Sequence, residues 1–151
     1  MADLRALLER LGCTDVATYL QSGNAVVTSA KGATLAGAVS EELGVDVLIR
    51  TAAQLTAVVT ANPFTHVARA DPTKVAVAFL SSRPDKARYD AIDHASFAPD
   101  EIELGKDVLY VHYPNGQGRA TLKPAVLSRL GVVSTVRNWR TVEALARMSS
   151  T

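Results

Sequence analysis

A single cysteine, Cys13, stands in this chain of 151 residues, so no disulfide can close within it. One thiol without histidine or carboxylate partners at ligand spacing does not build a zinc site either. Long apolar runs are also missing. The longest, Val75 to Leu80, is far short of the roughly 20 residues a membrane helix needs, and Asp3, Arg5, Glu9 and Arg10 interrupt any signal-peptide core. The sequence therefore reads as soluble and cytoplasmic, with no membrane contact. What is present is ordinary globular composition, 48% hydrophobic and 21% charged, enough for a packed core. The length suits one domain, or two small ones of about 75 residues each.

The net charge of +1 hides an asymmetry. Residues 1–113 carry ten Lys and Arg against fourteen Asp and Glu, whereas residues 114–151 carry Arg119, Lys123, Arg129, Arg137, Arg140 and Arg147 against Glu143 alone. A basic C-terminal quarter can draw phosphate or an acidic partner through its field. It can equally be a set of solvated helix ends.

Hydrophobic periodicity orders the elements. Leu4, Leu7, Leu8 and Leu11 form one helical stripe that Gly12 ends. Val16, Thr18 and Leu20, a turn through Ser22-Gly23-Asn24, then Val26, Val27 and Thr28 predict a β-hairpin. Leu35, Val39 and Leu43 predict a helix closed by Gly44, and Val45, Val47 and Ile49 alternate as a strand. Thr51 and Gln54 have the spacing of a capping box before a helix with Leu55, Val58 and Val59 on its buried face. Residues 65–73 read as a loop. Val75 to Leu80 follows as a strand buried on both faces. A short helix opened by Pro84 comes next, then a strand ending at Ile102 and Leu104, a turn at Gly105-Lys106, and the alternation Val108, Tyr110, His112. Leu122, Val126 and Leu130 mark a helix closed by Gly131, Val132 to Val136 a strand, and Trp139, Val142 and Leu145 a final helix.

The second half thus reads β-α-β-β-α-β, the split βαβ or ferredoxin-like order, and the first half matches it without an opening strand. The expected fold is α+β, two tandem ferredoxin-like units plus a C-terminal helix. The first repeat spans 1–51, a linker helix and loop 52–73, the second repeat 74–136 and the last helix 137–151. In such a sheet the first strand is central, so its lack leaves two strands with unpaired backbone groups. From this the natural start is expected upstream of Met1, or a partner strand or second copy is expected to complete the sheet.

Several segments together resemble a known family: Met1-Ala2-Asp3-Leu4-Arg5, Tyr19 to Asn24, Asn62-Pro63-Phe64, Tyr113-Pro114 with Gly118-Arg119, and Arg137-Asn138-Trp139-Arg140-Thr141-Val142. That family is the uncharacterised bacterial one catalogued as domain of unknown function 1697. The resemblance implies tandem ferredoxin-like units and no established activity. It also implies a hydrophobic strand and glycine-rich turn ahead of Met1. The family loop reads Gly-Arg-Ser-Lys-Leu, where this chain has Gly118-Arg119-Ala120-Thr121-Leu122, without that hydroxyl and ammonium.

Candidate chemistry is sparse. Tyr113 to Arg119 reads as a strand end running into a helix N-terminus, where Gly116 and Gly118 let backbone N–H groups approach a phosphate and Arg119 holds it. Without a Gly-Lys-Ser/Thr ending it is not an NTPase loop, and glycines in a plain turn would look the same. Arg137-Asn138-Trp139-Arg140 can offer two guanidiniums around a stacking indole, or simply a helix cap and a core plug. Gln21, Ser22, Gly23 and Asn24 put amides and a hydroxyl at a hairpin tip, suited to a polar substrate or to local turn bonds. His66, His94 and His112 share no metal spacing, and no metal or other cofactor is expected. Ser22, Ser81 and Cys13 lack a nucleophile's context. Asp100, Glu101 and Glu103 read as solvated carboxylates rather than an acid/base pair. Aromatic content of 5% argues against base-stacking RNA recognition. The leading expectation is a module binding an anion, its partner a phosphate-bearing small molecule or a nucleic-acid backbone. The alternatives are an enzyme acting on a small polar substrate at residues 21–24 and an interaction protein without a ligand.

Overall fold

In the computed structural model, described over residues 2–19, 23–29 and 34–150, helices and antiparallel sheets alternate in an α+β arrangement. Residues group into two units, one of residues 1–55 with 144–151 and one of residues 56–143.

In the first unit, α1 (Ala2–Arg10) ends as its leucine stripe and glycine require. Gly12 takes φ +90°, its N–H bonds the Glu9 carbonyl, and the Cys13 N–H bonds the Leu8 carbonyl, the paired bonds of a Schellman cap. Strands β1 (Thr14–Tyr19) and β2 (Asn24–Thr28) pair antiparallel with Tyr19 opposite Asn24. Leu7, Leu8 and Cys13 pack with Leu35 and Val39 of α2 (Thr34–Leu43) in one core, flanked by Val16, Val27 and Val47. The strand expected at Val45–Ile49 is not formed, and residues 45–50 are irregular. Alternation alone does not make a strand, which exists only where a neighbour completes its hydrogen bonds. Here the Val45 carbonyl is taken instead by the Ser40 hydroxyl at 2.6 Å.

Helix α3 (Ala52–Thr60) starts with the expected reciprocal cap. The Gln54 N–H donates to Thr51 Oγ1 at 3.1 Å and the Thr51 N–H to Gln54 Oε1 at 2.7 Å. Residues 65–73, expected as loop, instead form α4 (Thr65–Ala70) and a 3-10 turn at Pro72–Lys74 capped by Asp71.

The second unit is built on β3 (Val75–Leu80), α5 (Lys86–Asp90), β4 (Glu101–Leu104), β5 (Val108–His112), α6 (Pro124–Ser128) and β6 (Ser134–Asn138). The sheet order is β4-β5-β3-β6, every pair antiparallel. All six β3 residues are buried, as a strand covered on both faces must be. Ala76, Ala78 and Leu80 face a core with Phe97, Ile102, Leu109, Val111, Leu127 and Leu130. On the opposite face Tyr110 donates its hydroxyl to the Val58 carbonyl at 2.7 Å. Strand β6 lies two residues later than its valines suggest. Helix α7 (Trp139–Ser149) is capped by Asn138, whose Oδ1 accepts the Thr141 N–H at 2.9 Å. Among the described residues no helix is long and apolar enough to cross a membrane.

Candidate functional site

Register decides which of the candidate side chains can meet. Val75 pairs with His112, His112 with Glu101, and Ala76 with Asn138. The start of β3, the start of β4 and the ends of β5 and β6 therefore share one end of the second sheet. From that end depart the loop carrying Gly116, Gly118 and Arg119, the turn Asp71–Lys74, and the chain entering α7 at Arg140. Since β5 and β6 both flank β3, the two departures are about 10 Å apart at the sheet.

The loop is firmly built. Tyr113 is buried and extends the ladder, its N–H on the Lys74 carbonyl at 2.8 Å. Burial first, and the nearby Asp100 charge second, push the Tyr113 phenol up. Gly116 has φ 82° and ψ 160°, a backbone region open essentially to glycine alone. Residues Gln117–Arg119 form a 3-10 turn. At the far side Asp100, 4% exposed, accepts the backbone N–H groups of Thr121 and Leu122 at 2.7 and 2.9 Å. This corrects the reading of Asp100 as a solvated carboxylate, while Glu101 and Glu103 are exposed as expected. The expected passage of the glycines straight into a helix N-terminus is also corrected. A 3-10 turn and an irregular stretch intervene, and α6 begins only at Pro124 and has five residues. Helix α6 therefore does not open on the glycine loop.

Arg119 is exposed and, among the described residues, its side chain has no hydrogen-bond or ion-pair partner. Arg140 is also exposed, and its charge helps, after the Thr73 hydrogen bonds and Lys74, to hold the Asp71 carboxyl below its ordinary value. Lys74 lies 4.0 Å from Asp71. Arg137 sits one position inside the sheet, half-buried opposite Val77, with Nη1 on the Val136 carbonyl at 3.0 Å, and burial lowers its pKa. Asn138 spends its Oδ1 on the α7 cap, and Trp139 is 4% exposed, a plug rather than a stacking surface. Of the residues singled out in sequence, Gly116, Gly118, Arg119 and Arg140 remain available at this end. Lys74 and Asp71 join them. Their only sequence signal was the Asp71-Pro72-Thr73 capping pattern.

Gln21 and Ser22 lie outside the described residues. Gly23 has φ +86°, and Asn24 is buried with Nδ2 on the Tyr19 carbonyl at 3.2 Å, closing the hairpin. Cys13 is buried in the first core. His66 and His94 are exposed. His112 pairs with Glu101 at 2.9 Å and touches the Phe64 ring. Among the described residues no cluster of three His, Cys, Asp or Glu could hold a metal.

Comparison with known proteins places the chain in a context of unassigned function. Residues 1–110 match a family model described as a protein of unknown function, DUF1697. No curated protein matches. A solved structure, that of the conserved bacterial protein SP0830 from Streptococcus pneumoniae, superposes with a TM-score of 0.72 at 20% identity. The superposition covers 100% of this chain and 89% of that one. At that identity the likeness speaks for the fold alone.

Proposed function

Because the chain belongs to the DUF1697 family, whose function is unknown, the reading must come from its own residues, and we propose an anion-binding module with its site at the loop end of the second sheet. The observation that carries it is that the loop of Gly116, Gly118 and Arg119 leaves the same end of the sheet at which Lys74 precedes β3 and Arg140 follows β6. Gly118 adds support. Its φ lies outside the left-handed region and a Cβ there would meet nothing within 4 Å, so folding does not require glycine at this position. Close approach of a backbone N–H to a phosphate would. Arg119 is an unengaged guanidinium suited to two-pronged contact with a phosphate. The ligand class is a phosphate-bearing small molecule or a nucleic-acid backbone.

The same proposal takes the second unit as a ferredoxin-like fold. Its support is the order β4-β5-β3-β6 in a β-α-β-β-α-β chain, which is order 2-3-1-4 of the split βαβ motif. The first unit, with its α-β-β-α order, is taken as a second such repeat.

Titration with pyrophosphate and, separately, with a short single-stranded oligonucleotide tests the site. Arg119→Ala and Arg140→Ala should each weaken binding, and affinity should fall as salt rises. Tighter binding of the oligonucleotide would identify a nucleic-acid backbone, and preference for pyrophosphate a small ligand. Salt-independent binding, or binding indifferent to both arginines, rejects the module.

A further inference from the structure

The other end of the second sheet carries a feature that the anion-binding reading does not use. Leu80, Leu104, Val108 and Ser134 mark that end by register, and beside it lies an open cleft of about 260 Å³ lined by Arg83, Pro84, Lys86, Tyr89, Asp90 and Leu104. This is slightly below the ~300–1,000 Å³ of pockets that hold drug-sized ligands, so its occupant is small.

The lining has two parts. Pro84 is buried, and Tyr89 and Leu104 are half-buried, which gives an apolar wall. The Tyr89 ring stands edge-on to His94, with centroids 5.7 Å apart. The polar part is three charges. Lys86 and Asp90 neutralise one another at 3.1 Å, both well exposed. Arg83 is left as the unmatched cation. Its Nη1 makes only long bonds, 3.3 Å to the Gly105 carbonyl and 3.4 Å to the Lys106 carbonyl. Carbonyls accept hydrogen bonds without cancelling a charge, so the guanidinium keeps its charge and its remaining N–H donors face no partner among the described residues.

A planar cation with a free pair of donors beside an apolar wall matches a carboxylate carried on a flat apolar body. The carboxylate takes the two-pronged contact that guanidinium geometry favours, and the body covers Tyr89, Pro84 and Leu104. The geometry points to a second binding site, for a small organic monocarboxylate, at the Arg83 and Tyr89 cleft.

Benzoate is the probe, with benzamide as its neutral isostere and inorganic phosphate as an anion without an apolar body. Amide chemical shifts of the full chain are followed by NMR. Benzoate should produce saturable shifts at Arg83, Tyr89, Leu104 and Gly105, with a dissociation constant of about 1 mM as expected for so few atoms. Benzamide and phosphate should bind there at least about tenfold more weakly, and Arg83→Lys, which keeps charge but loses the fork, should weaken benzoate by about tenfold. Asp90→Asn, which frees Lys86, should tighten it. Equal binding of benzamide, no saturation, or shifts confined to residues 113–119 would overturn the proposal. The last outcome would leave the phosphate reading of the other sheet end standing, and loss of that reading would not touch this one.

Discussion

The buried carboxylate of Asp100 accepts the backbone N–H of Leu122 at 2.9 Å, and the same oxygen accepts the N–H of Thr121 at 2.7 Å. The far end of the glycine loop is thereby fixed by one side chain 22 residues earlier. One buried N–H group, of Leu122, and one part-buried, of Thr121, depend on it, and bonds to a charged acceptor are the stronger kind. Asp100→Ala should cost about 3 kcal/mol, because both donors are left without partners, and Asp100→Asn about 1 kcal/mol, because an amide oxygen can still accept. Urea unfolding midpoints of the two variants check the ranking. Equal losses would mean that the charge, not the hydrogen-bond acceptance, holds the loop.

Gly116 and Gly118 separate folding from binding. Gly116 is held at φ 82° and ψ 160°, so Gly116→Ala should destabilise by about 1–3 kcal/mol. At Gly118 neither φ nor space opposes a methyl group, and Gly118→Ala should leave thermal stability unchanged. If the backbone there meets a phosphate, the same variant should weaken pyrophosphate binding. A Gly118→Ala protein that binds as tightly as the parent would remove that glycine from the site.

Two helix starts rest on caps of known worth. The Thr51 and Gln54 pair caps α3, and Asn138 caps α7. Thr51→Ala and Asn138→Ala should each cost about 1 kcal/mol. Adding Gln54→Ala to Thr51→Ala should cost less than the two single changes together, since the box is reciprocal. A double-mutant cycle by chemical denaturation measures the difference, and strict additivity would contradict the reciprocal geometry.

Local signals in the sequence translated faithfully into structure where a single element decides the outcome. The leucine stripe and Gly12, the Thr51 box, the Asn138 cap and the apolar run Val75–Leu80 each carry their determinants within a few residues, and each forms as read. Where the partner is distant, local pattern does not decide the outcome. Strand β6 was expected at Val132–Val136, but the β3 ladder sets its register and pairs Leu80 with Ser134 and Ala76 with Asn138. Val45–Ile49 has strand alternation, but among the described residues no strand pairs with it. Asp100 looks like any acidic residue before a strand, because nothing local announces that residues 121 and 122 fold back onto it. The candidate site was legible in the same measure. Its glycines and arginines stood out, but only the pairing of Val75 with His112 puts Lys74 at the sheet end that their loop leaves, and burial takes Trp139 away into the interior.

Tyr110 supplies the last prediction. Its hydroxyl donates to the Val58 carbonyl at 2.7 Å from a side chain 3% exposed, and burial, with Asp107 adding a smaller push, raises the phenol to about 12 from an ordinary 10.0. The fold thus holds the neutral form. Below pH 10 that contribution is fully present; between about pH 10 and 12 the unfolded chain releases the proton first, so stability falls as pH rises. Tyr89 and Tyr113, also raised by burial, act in the same direction. Tyr110→Phe should cost about 1 kcal/mol at neutral pH, since the Val58 carbonyl loses its donor. The variant should also lose stability less steeply than the parent above pH 10, and the two curves should converge there. Urea midpoints measured from neutral pH upward test both parts, and parallel curves across the alkaline range would show that Tyr110 ionises no differently in the folded and unfolded chain.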